Sequence, residues 1–407
     1  MKSRKNAKKK NIKIILYLLI FIWLVINLIR FPNNCITAAK KGLLTWFNII
    51  IPSLFPFFIV TDLLINFGFV ELIGTLLEPL MKPIFNVSGK GAFPLVMSFT
   101  SGYPVGVKLI SSLRKNNTFT KVEAQRLLSF CSTSGPIFMI GAISTGMLNN
   151  QSISPLIIIP HYLGAITVGI IFRFYQNQAD KNNQKLTRIS MKYSFSKILV
   201  SNNDTSIANL LANSIKSGFS SLTIIGGFMI FYSVVVEILK TSHVINIINN
   251  IIIAITPLEI NCKTLEALLP GLFEITIGCA EISKLTELSF LSKIIIINFL
   301  IGWSGFSIHS QALSFIQSTD LDGKIYVFSK LLHGAFASIY SYILYKLKYT
   351  NVTLPSFKPQ IVFWNTLSIN SWVKISAFSL HILLYSSIFL IIYGLIISTI
   401  NKILFNK

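Results

Sequence analysis

Residues 97–106 read MSFTSGYPVG, and residues 269–278 read LPGLFEITIG. Both stretches are apolar at their ends and are interrupted in the middle by glycine, proline or polar residues. Each is followed by a second apolar segment with a polar centre, STSGP at residues 132–136 and WSG at residues 303–305. Irregular backbone at membrane depth is tolerated only where protein buries it or where it lines a cavity. Paired interruptions in two halves of a chain are therefore typical of a transporter's binding site.

The composition is that of a polytopic membrane protein. Of the 407 residues, 52% are hydrophobic and 12% are charged, whereas soluble domains are about 25% charged. Apolar runs long enough to cross a bilayer recur along the whole chain. We therefore predict an all-α membrane fold with about eight spanning helices and two broken or re-entrant segments. The expected spans are residues 12–30, 42–67, 126–148, 153–175, 208–239, 290–316, 325–346 and 376–400, and the broken segments are 91–113 and 264–285. Residues 70–85 and 244–260 are expected to lie at the interface or at half depth.

The strongly basic charge is consistent with membrane topology signals. The net charge is +22, from 36 Lys and Arg against 14 Asp and Glu, and the basic residues lie mostly in connectors, as in cytoplasmic loops. No basic patch with interleaved aromatic residues is present, so we expect the bilayer and not a nucleic acid as partner. Six basic residues in the first ten predict a cytoplasmic N-terminus before a retained first span.

The chain reads as a diverged internal repeat. In each half a long apolar run ends near an acid, Asp62 or Glu237, and a broken segment and a Ser-Gly pair follow. These features predict two repeats of inverted topology. The predicted parts are a basic N-terminus with the first transmembrane helix (1–41), a first repeat with its following helix (42–175), a polar basic cytoplasmic linker (176–205), a second repeat with its following helix (206–346), and a polar loop with a C-terminal transmembrane helix (347–407).

Glu274 is the first candidate for function. It lies in an apolar run after the helix breakers Pro270 and Gly271, and a charge at this depth normally faces protein or a cavity. Proton or cation coupling is one interpretation, and a structural bond to a buried donor such as Lys108 or His309 is the other. Lys108 itself could counter a substrate carboxylate or reach the interface along its apolar stem.

Small and hydroxyl residues inside apolar segments supply the other candidates. Helix breaking at residues 132–135 would free backbone N–H groups that can bind carboxylates or phosphates, whereas tight helix packing is the alternative. Ser304 and Gly305 could act alike in the second half, and His309 could face the cavity or bond a neighbouring helix. The predicted substrate-binding set is Ser101, Gly102, Tyr103, Lys108, Ser132, Thr133, Ser134, Gly135, Glu274, Ser304, Gly305 and His309.

No enzyme motif accompanies these residues. The chain has no phosphate-binding loop, HExxH or GxSxG motif, and its four cysteines and five histidines show no metal-ligand spacing. We expect no catalytic residue, no cofactor and no metal. His161, His333 and His381 are isolated in the sequence, and we assign no function to them.

Several stretches resemble the sporulation integral membrane protein family of the YlbJ type, over roughly residues 42–346. They are GLLTW (42–46), IPSLFPF (51–57), SGYPVGVK (101–108), EAQRLLSF (123–130) and SGPIF (134–138), with GLFEITIG (271–278) as the counterpart in the second half. This family carries the gate, or nucleoside-recognition, domain, so the resemblance implies two gate-like repeats. It further implies a multi-pass protein of the outer forespore membrane that moves dipicolinic acid during sporulation.

Dipicolinate is a small planar dianion, and the residues suggest a pose for it. Its carboxylates would suit helix N-termini near Gly102 and Ser134, with Lys108 nearby and Tyr103 stacked on the ring. Glu274 would repel a dianion unless protonated, which predicts proton-coupled secondary transport. A structural or assembly role in the spore envelope, a receptor, or a carrier of another solute such as a nucleoside remain the alternatives. Homo-oligomers and other sporulation membrane proteins remain open as partners.

Overall fold

The computed structural model describes residues 2–176, 206–255 and 262–348, and all regular structure in these ranges is helical. The α-helices are α1 (Lys2–Arg30), α2 (Pro32–Thr45), α3 (Ile51–Asn66), α4 (Phe69–Phe85), α5 (Ala92–Ser101), α6 (Val105–Lys115), α7 (Lys121–Phe130), α8 (Ser154–Phe172), α9 (Ile207–Thr241), α10 (Val244–Ile255), α11 (Cys262–Phe273), α12 (Ile275–Lys284), α13 (Phe290–Trp303), α14 (Gly305–Ile316) and α15 (Gly323–Lys348). Wider π-helical turns form Trp46–Ile50 and Phe138–Met147. The predicted linker 176–205, apart from Gln176, and the predicted span 376–400 lie outside the described residues.

The protein is an all-α polytopic membrane protein, as predicted. In the described ranges three segments are long and apolar enough to cross a membrane, Gln151–Phe172, Ile207–Thr241 and Phe290–Ile316. The pair Ile14–Arg30 and Pro32–Asn48 passes the same test with a bend of 103° between its helices. Large apolar side chains remain exposed on the outer faces, with Ile207 72% exposed, and lipid is the solvent that such faces require.

Two expected spans are assembled from shorter pieces. Residues 42–67 run through the end of α2, a π-helical turn and α3, whose sequence carries Pro52 and Pro56. Residues 126–148 comprise the end of α7, a non-helical stretch at 131–135 and a second helix that continues to Met147. Proline lacks the N–H that continues a helical ladder, so Pro136 stands where the second helix restarts.

The same order of elements occurs twice in the described chain. In the first half, α3 and α4 precede the pair α5–α6, the broken helix formed by α7 and residues 136–147, and α8. In the second half, α9 and α10 precede the pair α11–α12, the broken helix α13–α14, and α15. The observed order agrees with an internal repeat, and the inverted orientation of the two repeats stays a prediction.

Both broken pairs fold back as helical hairpins. Residues seven or eight apart in one straight helix are separated by more than 10 Å, because each residue rises about 1.5 Å. A Cβ built on Gly106 would nevertheless lie 2.8 Å from the Ser98 Cβ, and one on Gly278 would lie 2.8 Å from the Gly271 nitrogen. The segments 91–113 and 264–285 therefore fold back on themselves, which favours the re-entrant alternative over a crossing. The second hairpin turns at Glu274, three residues after Gly271.

Polar contacts join the two halves at one end of the molecule. The Arg114 guanidinium at the end of α6 makes two hydrogen bonds of 3.0 Å to the Asp320 carboxylate, between α14 and α15. This hydrogen-bonded cation holds the pKa of the Asp320 carboxyl below its usual range. The Gln125 side chain of α7 donates to the Asp322 carbonyl at 3.0 Å and accepts from the Asp322 N–H at 2.8 Å. The first and second halves are thus fixed to each other beside their broken helices.

Candidate functional site

In the first half, the tip of the hairpin α5–α6 packs on the non-helical stretch 131–135. Gly102 has a φ of +87°, and a Cβ built on it would lie 2.6 Å from the Gly135 nitrogen. The Thr133 N–H donates to the Ser98 hydroxyl at 3.1 Å, and the Thr133 hydroxyl donates to the Ser98 carbonyl at 3.0 Å. A side chain on Gly102 would therefore separate two backbones that are in contact.

The second half repeats this arrangement. Ser304 and Gly305 interrupt the broken helix α13–α14 with φ angles of +78° and +72°. A Cβ on Gly305 would lie 3.0 Å from the Phe273 carbonyl oxygen at the tip of the hairpin α11–α12. The Trp303 indole N–H donates to the Leu272 carbonyl at 3.2 Å. In each half, therefore, the tip of the hairpin packs on the interruption of the following broken helix.

The two interrupted regions enclose one cavity of about 400 Å³. Its walls include Leu54 and Phe57 of α3 and residues of both hairpins and both broken helices. Six residues of the predicted set line it, namely Ser101, Gly102, Tyr103, Ser134, Gly135 and Glu274. Ser307 and Gln311 of α14 also line it, and the Gln311 amide donates to the Ser307 hydroxyl at 3.4 Å. Such a cavity is of the size of a small-molecule site, for which the usual range begins at about 300 Å³.

Three hydroxyl groups at this cavity make no hydrogen bond of good geometry within the described part of the protein. They are the buried side-chain oxygens of Ser101, Tyr103 and Ser134, of which those of Tyr103 and Ser134 are neighbours. Buried polar atoms are nearly always hydrogen-bonded, because an unmade bond costs free energy. These three groups are therefore positioned to bond a polar solute or water in the cavity.

Glu274 is both a lining residue and a helix cap. It stands between α11 and α12, is 4% exposed, and its carboxylate accepts the Ile277 N–H at 2.9 Å and the Thr276 hydroxyl. A carboxylate at this position bonds the free N–H groups of the first turn and is favoured by the helix dipole. The structural partner of Glu274 is thus the start of α12, and neither Lys108 nor His309 bonds it.

The remaining predicted residues lie behind the cavity wall or away from it. The Lys108 ammonium lies 4.2 Å from the ring centroid of Phe58 and does not line the cavity. His309 packs on the Trp303 ring with centroids 4.3 Å apart, and the Ser304 hydroxyl bonds weakly to the Ile301 carbonyl at 3.4 Å. These three side chains are not placed to touch a solute in the cavity.

The stretch 132–135 differs from the prediction in one respect. Its N–H groups were expected to be free for an anion, but the Thr133 N–H donates to Ser98 and the Ser134 N–H donates to His161 Nε2 at 2.9 Å. Unwinding removes the intrahelical partners of these groups, and buried neighbours supply new ones. The Ser132 hydroxyl is likewise bonded, at 3.1 Å to the Tyr326 hydroxyl.

Sequence reasoning missed three buried residues behind the first interruption, Lys330, His333 and His161. The Lys330 ammonium donates to the Ser132 carbonyl at 2.5 Å and contacts His333 Nδ1 at 3.0 Å. The two imidazole rings lie 4.5 Å apart. A lysine inside the apolar segment 325–346 was the available signal, since ionisable residues in such segments are usually functional.

A second, more polar cavity adjoins the first. It also has a volume of about 400 Å³ and is lined by polar residues of α2, α9 and α12, among them Lys41. Met229 and Thr276 line both cavities, so the two cavities share part of their walls. Among the described residues, no group of three or more His, Cys, Asp or Glu is arranged to hold a metal ion.

Known proteins resemble the chain in sequence. Residues 47–165 match the Gate family, described as nucleoside recognition. The chain is 35% identical over 336 residues to the sporulation integral membrane protein YlbJ of Bacillus subtilis, covering 81% of this chain and 82% of that protein. An uncharacterized protein of Alkalihalophilus pseudofirmus is 29% identical over 113 residues, 28% of this chain and 23% of that protein. No solved structure matches the chain.

Proposed function

The chain belongs to the sporulation integral membrane protein family of the YlbJ type, and on that premise we propose that it is a secondary carrier of dipicolinate. The observation that carries the proposal is that the interrupted segments of both halves line the same cavity. Sites between two repeats, built from discontinuous helices, are the common construction of secondary transporters. The proposed location is the outer forespore membrane, as the family resemblance implies.

The chemistry of the cavity suits a small planar acid. Apolar walls can hold the faces of an aromatic ring, and the hydroxyls of Ser101, Tyr103 and Ser134 can donate to carboxylate oxygens. The adjoining polar cavity shares Met229 and Thr276 with this site, and we propose it as the side from which the solute enters.

Glu274 supplies a means of proton coupling. It is the acidic side chain that lines the cavity. A carboxylate repels a dianion bound in the same cavity, and the low dielectric of the protein interior strengthens this repulsion. Protonation removes the repulsion and leaves the residue able to cap α12. We infer that the proton and the anion bind together, so that a pH gradient drives uptake.

The test is uptake of labelled dipicolinate into proteoliposomes with and without an imposed pH gradient. We expect saturable uptake that the gradient stimulates, and loss of that stimulation in Glu274→Gln. Glu266→Gln is the matched control, because Glu266 is an exposed acid on α11 of the same hairpin. Background uptake by folded wild-type protein would contradict the proposal and favour a structural role in the spore envelope. Uptake of a nucleoside in place of dipicolinate would contradict the assignment of dipicolinate as the substrate.

A further inference from the structure

Lys330 is a fully buried cation held at the first interruption. Its relative exposure is 0%, and its ammonium bonds the Ser132 carbonyl at 2.5 Å and His333 Nδ1 at 3.0 Å. His161 stands near the middle of the span Gln151–Phe172, and His333 bonds its carbonyl. We call Lys330, His333 and His161 the Lys330 cluster. The cluster lies deep in the protein, on α8 and α15.

The hydrogen-bond partners fix which atoms of the cluster carry protons. A carbonyl only accepts, so His333 Nε2, 2.8 Å from the His161 carbonyl, is the protonated nitrogen and His333 Nδ1 accepts from Lys330. The Ser134 N–H only donates, so His161 Nε2 is unprotonated. Each imidazole therefore has a role that its neutral form fulfils, so any positive charge carried by the cluster resides on Lys330.

Lys330 has no counter-ion in the described part of the chain, so its charged form is costly until an anion binds nearby. The polar partners of Lys330 are a carbonyl and a neutral imidazole, and no described carboxylate lies within ion-pair distance. Buried charges are normally paired, because desolvation is costly. An uncharged donor could make the same bond to Ser132, so the hydrogen bond alone does not account for a lysine here.

The Lys330 ammonium lies close enough to the cavity to interact with a charged solute there. Its ammonium lies 5.9 Å from the ring centroid of Tyr103, and Tyr103 lines the cavity. The ammonium thus lies against the ring of a residue that lines the cavity, at the limit of a cation–π contact. Glu274, the cavity acid, belongs to the hairpin of the other half.

We propose that Lys330 determines the charge specificity of the cavity: it makes the first-half wall electropositive and serves as counter-ion to a carboxylate bound against Tyr103 and Ser134. The proposal rests on the proposed function in that it names the charge of the ligand taken by the same site. Lys330 acts through the wall and does not touch the solute, so it is a positioning and specificity residue.

The test measures binding to the purified full-length protein in detergent, independently of flux. The probes are pyridine-2,6-dicarboxylate and pyridine-2,6-dicarboxamide, which share a ring but differ in charge. We expect wild type to prefer the acid. Lys330→Met should weaken acid binding by about tenfold or more, the size expected for two charges separated by one residue in protein, and leave diamide binding unchanged. Lys330→Arg keeps the positive charge and should therefore retain the preference for the acid over the diamide.

The matched control is Lys293→Met, because the Lys293 ammonium also donates to a backbone carbonyl, that of Ser283 at 3.0 Å, away from the cavity. If Lys330→Met does not fold, Lys330→Gln keeps a donor to Ser132 and supplies the uncharged variant. An uncharged variant that keeps the preference for acid overturns the inference. Equal binding of acid and diamide by wild type, including no binding of either, also overturns it. Binding of the acid without uptake would contradict the proposed carrier function but would still support the role of Lys330 in charge specificity.

Discussion

Replacing Gly102 by alanine tests the contact on which the cavity is built. Gly102 has φ +87° and ψ −176°, a region open essentially to glycine alone, and a side chain held there costs about 1–3 kcal/mol. The new Cβ would also lie 2.6 Å from the Gly135 nitrogen, a backbone atom that cannot rotate away. Overpacking of this kind adds about 1–3 kcal/mol, so we expect Gly102→Ala to lower the free energy of unfolding by roughly 2–6 kcal/mol.

The control is Gly141→Ala, which changes the same cavity without a contact. Gly141 lines the cavity, lies in the helix that ends at Met147, and a Cβ on it would meet nothing within 4 Å. Alanine is favoured over glycine in a helix by about 0.5–1 kcal/mol, so this variant should be neutral or more stable. The assay is denaturant unfolding in detergent micelles, followed by uptake of solute. A Gly102→Ala variant as stable and active as Gly141→Ala would refute the observed packing of the hairpin tip.

Two further predictions concern packing and charge elsewhere. Gly226→Ala should destabilise α9 against α2 and α3, because its Cβ would lie 2.5 Å from the Trp46 ring, whereas Gly227→Ala, which meets nothing within 4 Å, should not; thermal unfolding of the pair measures this difference. Asp320→Asn should cost less than about 1 kcal/mol at pH 7, because Asp320 is exposed and solvent screens its charge from Arg114. Since the folded pKa of Asp320 is lowered, its stabilisation is present above the unfolded value of about 4 and is lost as pH falls through the folded value. Unfolding of both proteins at neutral and acidic pH should therefore show a difference that vanishes in acid, and a difference that grows in acid would contradict the assignment.

The interruptions were predictable because their cause is local. Glycine, proline and hydroxyl residues in otherwise apolar segments break helices wherever the chain goes, so the breaks at residues 97–106 and 132–136 could be expected, whereas their contact with each other could not. Whether a broken segment crosses or re-enters depends on contacts such as that of Gly271 with Gly278, which spacing alone does not give. Lys108 was misplaced for the same reason, since the direction of α6 after the hairpin turn decides which face it presents.

The Lys330 cluster could not be assembled from sequence. Lys330 and His333 are one helical turn apart, but His161 is 172 residues from His333, and only the packing of α8 beside α15 brings them together. Glu274 shows the opposite case. Its position in an apolar run marked it as important, but its role as the cap of α12 required knowing that the helix restarts at Ile275.

The most direct test of the central claim is protection of the cavity by its solute. In Ser134→Cys the new thiol would replace a buried hydroxyl of the cavity wall, while the native exposed Cys262 at the start of α11 serves as internal control. The measurement is the rate of labelling by a small maleimide at both positions, with and without dipicolinate. The account predicts that dipicolinate slows labelling at position 134 and leaves Cys262 unchanged. Equal rates at position 134 in saturating dipicolinate would contradict the placement of the solute in this cavity.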